Sequence, residues 1–219
     1  MKKFYSQFFI KGDLVFDIGA NKGEYTSMFH RLGAAVVAVE PNPLCCETLS
    51  KLERLKNIHV EKVAAGHAAG SAKLRLCDQS NLSTLSDDWF LSSREAPTYR
   101  NVKWLDQIEV PLTTLDLLSK RYGIPVFVKI DVEGYEKNVI DGMSFAPKFI
   151  SFEFSNVERE GAVQCIERLG GKGYEFNPML SRDFEFQFRD WKTDRETVDW
   201  LREYSGNEEF GDIFARLRS

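Results

Sequence analysis

The stretch Asp13-Leu14-Val15-Phe16-Asp17-Ile18-Gly19-Ala20-Asn21-Lys22-Gly23 constrains this chain more than any other. An apolar run from Leu14 to Ile18 breaks at Gly19, turns through Ala20-Asn21-Lys22 and opens a helix at Gly23. Tyr25, Met28, Phe29 and Leu32 then recur at i, i+3, i+4 and i+7 as one helical face, which Gly33 closes. A second apolar run, Ala34 to Val39, ends in Glu40-Pro41-Asn42-Pro43. The pattern is strand, helix, strand, with a glycine turn at the first strand tip and an acid at the second. That is the layout of a site for an adenosine-containing ligand.

The glycine spacing selects the ligand. A dinucleotide fingerprint, G-x-G-x-x-G, uses its second glycine to bring the backbone against a pyrophosphate. Here the glycines are Gly19 and Gly23 with Ala20, Asn21 and Lys22 between, and no Walker-type G-x-x-x-x-G-K-[ST] occurs. S-adenosylmethionine carries the adenosine without a phosphate. It needs an open turn beside its methionine tail and an acid for the ribose diol. Glu40 stands 21 positions after Gly19, the interval at which such an acid reaches both ribose hydroxyls.

Four segments together resemble a known family: Asp17-Ile18-Gly19-Ala20-Asn21-x-Gly23, Val39-Glu40-Pro41-Asn42-Pro43, Thr114-Leu115-Asp116 and Lys129-Ile130-Asp131-Val132-Glu133-Gly134-Tyr135-Glu136. They are similar to the FkbM family of S-adenosylmethionine-dependent methyltransferases, over roughly Phe9 to Phe154, with a weaker echo in Gly211-Asp212-Ile213-Phe214. The resemblance implies a Rossmann-like α/β fold, the seven-stranded class I methyltransferase sheet in the order 3-2-1-4-5-7-6 with its last strand antiparallel. It also implies O-methylation of a hydroxyl on a sugar or other natural-product acceptor.

Length and composition agree with one domain over residues 1–219. The formal net charge of −4 supplies no general attraction to a phosphate backbone, so a nucleic-acid partner is not expected. Cys45, Cys46, Cys77 and Cys165 sit in apolar contexts without metal spacing and are expected as small buried hydrophobes. No signal peptide and no membrane span are read, so the expected location is cytoplasmic. Oligomeric state is not legible.

Along the chain, Phe4, Tyr5, Phe8 and Phe9 are expected to pack on the sheet edge or over the cofactor. A helix from about Leu44 to Leu55 should turn Leu44, Thr48, Leu52 and Leu55 inward. Ile58 to Lys62 alternates apolar and polar, as an edge strand does, and Ala64-Ala65 beyond it leave room for an adenine ring. Residues 78–106, rich in Ser, Asn and Asp yet holding Trp89, Phe90, Tyr99 and Trp104, form an insert expected to line the acceptor pocket. Thr113 or Thr114 caps a helix, and Val126 to Ile130 is a central strand broken only by Lys129. Phe184 to Phe188 alternates like a strand, and Thr193-Asp194-Arg195-Glu196 is a capping box.

Strand-end residues should carry the chemistry, because open α/β sheets bind ligands beyond their carboxyl ends. Gly19, Ala20, Asn21 and Gly23 in the turn, with Tyr25, Glu40, Pro41, Ala64 and Asp131, form the expected cofactor set. Asp17 is expected to brace the turn and water near the methionine ammonium. Asp131 or Glu133 is the expected base for the acceptor hydroxyl, with Glu153 orienting that acceptor. Lys129 completes the catalytic set; the alternative is a structural buried pair between Lys129 and Glu153. Asp131, Glu133 and Glu153 could also hold a magnesium- or calcium-type cation, although the spacing does not require a metal. His30, His59 and His67 are scattered, which argues against zinc. Two rival classes share these features: a nicotinamide-dependent Rossmann oxidoreductase, and a non-catalytic S-adenosylmethionine-binding module.

Overall fold

Gly19 and Gly23 divide the first strand from the first long helix as the sequence predicts. The computed structural model describes residues 1–157, 159–181, 183–205 and 210–218. After a short helix α1 (Lys2–Tyr5) come β1 (Leu14–Ile18), α2 (Glu24–Arg31) and β2 (Ala35–Val39). Gly23 caps α2 with φ 85° and Gly33 follows it with φ 99°, left-handed values that other residues adopt only under strain. The chain continues through α3 (Pro43–Leu49), β3 (Ile58–Glu61), β4 (Ala64–Ala65), β5 (Gly70–Cys77), α4 (Asp87–Glu95) and β6 (Trp104–Thr113). The second half holds α5 (Leu115–Tyr122), β7 (Phe127–Ile130), α6 (Glu136–Asp141) and β8 (Phe149–Ser155). It ends with α7 (Arg159–Gly170), β9 (Tyr174–Leu180), α8 (Asp194–Glu203) and β10 (Phe210–Leu217).

Seven strands make the main sheet in the order β3-β2-β1-β7-β8-β10-β9. β3, β2, β1, β7 and β8 run parallel, while β10 is antiparallel to both β8 and β9. These labels differ from the expected series because β4, β5 and β6 leave this sheet and form a second, three-stranded one in the order β4-β6-β5.

Alternation along the strands builds two apolar layers. Phe16, Val128, Ile150 and Ile213 face one side, packed with Leu115, Leu118, Val139, Ile140, Ile166 and Leu201 from α5 to α8. Val15, Val36, Phe127, Phe149 and Phe214 face the other, against Met28 and Phe29 of α2. Both faces of the parallel strands are therefore covered, which is why they read as nearly continuous apolar runs.

Several expectations are corrected. Phe4, Tyr5, Phe8 and Phe9 are buried under the middle of the sheet, not at its edge, with Phe8 stacked between Phe127 and Phe214 at 5.4 and 5.0 Å. Leu44 is 66% exposed, Leu55 is 43% exposed and Thr48 is also exposed. Pro43 starts α3 under the Asn42 cap, and that phase turns Cys45, Cys46 and Leu49 inward. Phe184 to Phe188 form no strand; Phe184 has φ 57°, and it packs with Phe186 against the aromatic layer. Residues 78–106 carry a helix and a small core: Ser86 caps α4, and Trp89 meets Tyr99 and Trp104. Thr114, not Thr113, caps α5, and the capping box at Thr193 forms. All four cysteines are buried, and none is in a disulfide among the described residues. No described helix is long and apolar enough to cross a membrane.

Candidate active site

A cleft of about 500 Å³ opens beyond the carboxyl ends of β2, β1, β7 and β8, within the size range of small-molecule sites. Its floor is the turn after β1. Gly19 has φ 79° and Asn21 φ 47°, so the chain doubles back over the strand tip. The turn keeps its own backbone donors: Gly19 and Ala20 both give N–H to the Val39 carbonyl, at 2.9 and 3.0 Å, and Gly23 gives N–H to that of Ala20 at 2.8 Å. The Asn21 N–H is taken by the Glu40 carboxylate at 2.8 Å.

Glu40 follows the last residue of β2. Its other oxygen accepts the Asn42 N–H at 2.8 Å, so one carboxylate ties the turn after β1 to the turn after β2. Burial pushes its pKa up to about 7 against the two backbone donors that pull it down. A carboxyl group easier to protonate folded than unfolded stabilises the fold at low pH, and that contribution is lost as pH rises from near 4.5 through about 7. The loss is on the order of 3 kcal/mol. Urea denaturation followed against pH is therefore expected to show a shallower decline over this window for Glu40→Gln than for wild type; parallel profiles would reject the assignment.

Gly19, Ala20, Asn21 and Tyr25 of the expected cofactor set line the cleft, as do Glu40, Pro41, Ala64 and Asp131. Gly23 and Asp17 stand behind its wall. A Cβ on Gly23 would lie 2.6 Å from Leu52 and 2.8 Å from Leu49, so that glycine serves the packing of α2 on α3. Asp17 is wholly buried and accepts the Thr26 hydroxyl at 2.6 Å, which braces the first turn of α2. Burial raises its pKa, although Lys129 and Thr26 pull it down.

The far wall is acidic. Register puts Asp17 beside Lys129 and Lys129 beside Ser151, so Glu153 lies two residues further along its strand than the lysine. Lys129 therefore pairs with Asp131, at 2.7 Å, and not with Glu153. Only 1% exposed, it lies behind the cleft with its ammonium over the Tyr25 ring at 4.3 Å. Burial works to deprotonate it, but the Asp131, Asp17 and Asp212 carboxylates outweigh that and raise its pKa.

Asp131, Glu133 and Glu153 all face the cleft and bring one oxygen each within 4.8 Å of the others. Glu133 sits in a left-handed turn with φ 54°, and the Thr84 hydroxyl holds its carbonyl at 2.6 Å. Burial, then the charges of Asp131 and Glu136, hold its carboxyl well above the ordinary range. Glu153 is raised likewise, by desolvation first and Glu133 second.

Sequence reasoning gave no individual roles to the insert's polar residues. Ser80 donates to the Asn21 side chain at 3.1 Å, Ser83 accepts from that of Asn42 at 3.3 Å, and Thr84 holds the Glu133 turn. The insert thus latches onto three strand-tip loops, while Thr98, Tyr99 and Val102 extend the wall outward. Short polar side chains in a Ser/Asn-rich stretch give no periodic signal, so nothing local marks these contacts.

A mostly parallel seven-stranded sheet with its cleft at the strand ends is the class I methyltransferase-like architecture. Two solved structures agree on the fold. Precorrin-6y C5,15-methyltransferase from Geobacter metallireducens GS-15 superposes with a TM-score of 0.51 at 11% identity, over 99% of this chain and 85% of that one. Precorrin 8W decarboxylase from Methanobacterium thermoautotrophicum gives 0.50 at 11% identity, over 99% and 89%. A rRNA methylase from Streptococcus thermophilus reaches 0.49 at 10% identity, over 99% and 94%. No curated protein sequence matches the chain. The Methyltransferase FkbM domain matches residues 17–214, and the chain belongs to that methyltransferase family.

Proposed function

We propose that this protein is an S-adenosylmethionine-dependent O-methyltransferase acting on a hydroxyl of a sugar or other natural-product acceptor. One observation carries the choice of cofactor: the N–H groups of Gly19, Ala20, Asn21 and Gly23 are all engaged within the protein. A pyrophosphate site works by offering such donors to the anion. Here the turn offers none of these four, and the Glu40 carboxylate stands beside it, which repels a phosphate and suits a ribose diol. A nicotinamide dinucleotide is disfavoured on both counts. Three inter-strand steps of about 4.8 Å separate the Glu40 tip from Glu153, roughly 14 Å, enough for an adenosine at one end and a transfer site at the other.

The cofactor supplies a methyl group on a sulfonium, and its transfer to a hydroxyl oxygen leaves a neutral thioether. The chain's part is to align the acceptor and take its proton. Asp131 already holds Lys129, whereas the Glu133 side chain has no hydrogen-bond partner among the described residues. Glu133 is accordingly the base and Glu153, on the neighbouring strand, orients the acceptor. The insert at residues 78–106 lines the acceptor side through Tyr99 and Val102. The −4 charge and an acidic wall favour a small molecule or glycan over nucleic acid.

Calorimetry tests this reading directly. S-adenosylmethionine and its thioether product are expected to bind at micromolar concentration, and NADH not to bind; tight NADH binding with no heat from the thioether would overturn it. A screen with labelled methyl groups then identifies the acceptor.

A further inference from the structure

We propose that Asp131, Glu133 and Glu153 bind a hard divalent cation of the magnesium or manganese type beside the acceptor. The sequence does not require it; the geometry points to it. Each residue offers one carboxylate oxygen, and the three lie within 4.8 Å of one another. Two oxygens on opposite sides of an ion with bonds of about 2.0–2.6 Å stand roughly 4–5 Å apart, so one ion can reach all three. The donors come from adjacent strand ends, β7 and β8, and share a wall of the cleft.

Two polar groups in that wall lack hydrogen-bond partners among the described residues. Glu133 is only 8% exposed, and its carboxylate has no hydrogen bond or ion pair among the described residues. Ser155, 7% exposed and two positions beyond Glu153 on the same face of β8, also lines the cleft, and its buried Oγ has no hydrogen-bond partner. Buried polar groups are nearly always satisfied, so the orphaned Ser155 hydroxyl beside the open Glu133 carboxylate marks a place in this wall where a ligand completes the bonding.

Charge gives the same answer. The ammonium paired within this wall is that of Lys129, already committed to Asp131. Three carboxylates this close repel one another, and a dication balances them better than one lysine does. All the donors are oxygen, with no histidine or cysteine in the set, which selects magnesium or manganese over zinc.

The chemical consequence rests on the methyl-transfer reading. A cation at this point fixes the acceptor's hydroxyl oxygen and weakens its O–H bond. The oxygen gains the methyl carbon, the carbon–sulfur pair leaves with sulfur, and the proton passes to the Glu133 oxygen that does not hold the ion.

The full chain, stripped with chelator and dialysed, would be titrated with manganese alone, with free ion followed by electron paramagnetic resonance. One site per chain is expected, competed by magnesium and weakened at least tenfold in Glu153→Gln. Asp87→Asn, a change in a surface pair with Arg75, should leave the affinity unchanged. Thermal melts confirm that each variant folds. The absence of a site, or equal affinity in wild type, Glu133→Gln and Glu153→Gln, would overturn the inference. Calorimetry of the metal-free protein with S-adenosylhomocysteine separates the two readings. If the thioether binds and manganese does not, only the cation fails; if manganese binds through these carboxylates and the thioether does not, only the methyl-donor reading fails.

Discussion

Gly19→Ala is expected to destabilise the protein by roughly 4 kcal/mol and to abolish binding of the methyl donor. Two costs combine. The backbone at Gly19 has φ 79°, where a side chain is strained, and an added Cβ would lie 1.7 Å from the Asp131 carbonyl oxygen. That oxygen belongs to the neighbouring strand tip, so it cannot swing aside as a side chain would. β1 and β7 must part, and the bond from the Asp131 N–H to the Ile18 carbonyl, 3.0 Å long, goes with them. Because the same opening displaces both the turn and the acidic wall, fold and site fail together. Gly12→Ala is the control: its φ is 96°, but nothing lies within 4 Å of the added carbon, so only about 1 kcal/mol of backbone strain is expected. Urea denaturation of both variants measures the difference. Equal losses would show that strain alone, and not collision with Asp131, makes Gly19 necessary.

Glu133→Gln is expected to lower turnover by a factor of about 10² to 10⁴ while leaving affinity for the thioether product within a few-fold. The amide keeps the size of the side chain and loses its capacity to take a proton. Folding should survive, since the carboxylate makes no hydrogen bond among the described residues; the Thr84 hydroxyl bonds the Glu133 backbone carbonyl, which is untouched. Asp131→Asn makes a useful contrast. It weakens the hold on a lysine that is 1% exposed, so it should lose stability, by about 3 kcal/mol, along with activity. Single-turnover kinetics at saturating donor and acceptor distinguish the two. Unchanged turnover in Glu133→Gln would remove that residue from the chemistry.

Where a residue's role depends on its near neighbours in the chain, it was legible beforehand. The β1 turn, the α2 face, the acid after β2 and the Thr193 capping box all follow from local spacing. Failures came where a cap fixed the helical phase or a long-range partner overrode a local pattern. Leu44 has the hydrophobicity of a core residue, yet Pro43 and the Asn42 cap set a helical phase that points it to solvent. Phe184 and Phe186 alternate with polar residues as a strand would, but the aromatic layer beneath the sheet recruits both rings without any ladder of hydrogen bonds. The insert reads as polar loop because its core needs only a few large rings, Trp89, Tyr99 and Trp104, spread over sixteen positions.

The sequence by itself determined the strand-turn-helix unit, the acid at the second strand tip and the family, because glycine conformation, helical periodicity and motif spacing act within short lengths of chain. Only the tertiary structure decided which ionised groups meet. Lys129 pairs with Asp131, the Glu133 carboxylate has no hydrogen bond or ion pair among the described residues, and Asp17 turns away from the cleft to hold Thr26. Electrostatic partners are chosen by strand register and by distance through a poorly screened interior, and both are properties of the assembled sheet.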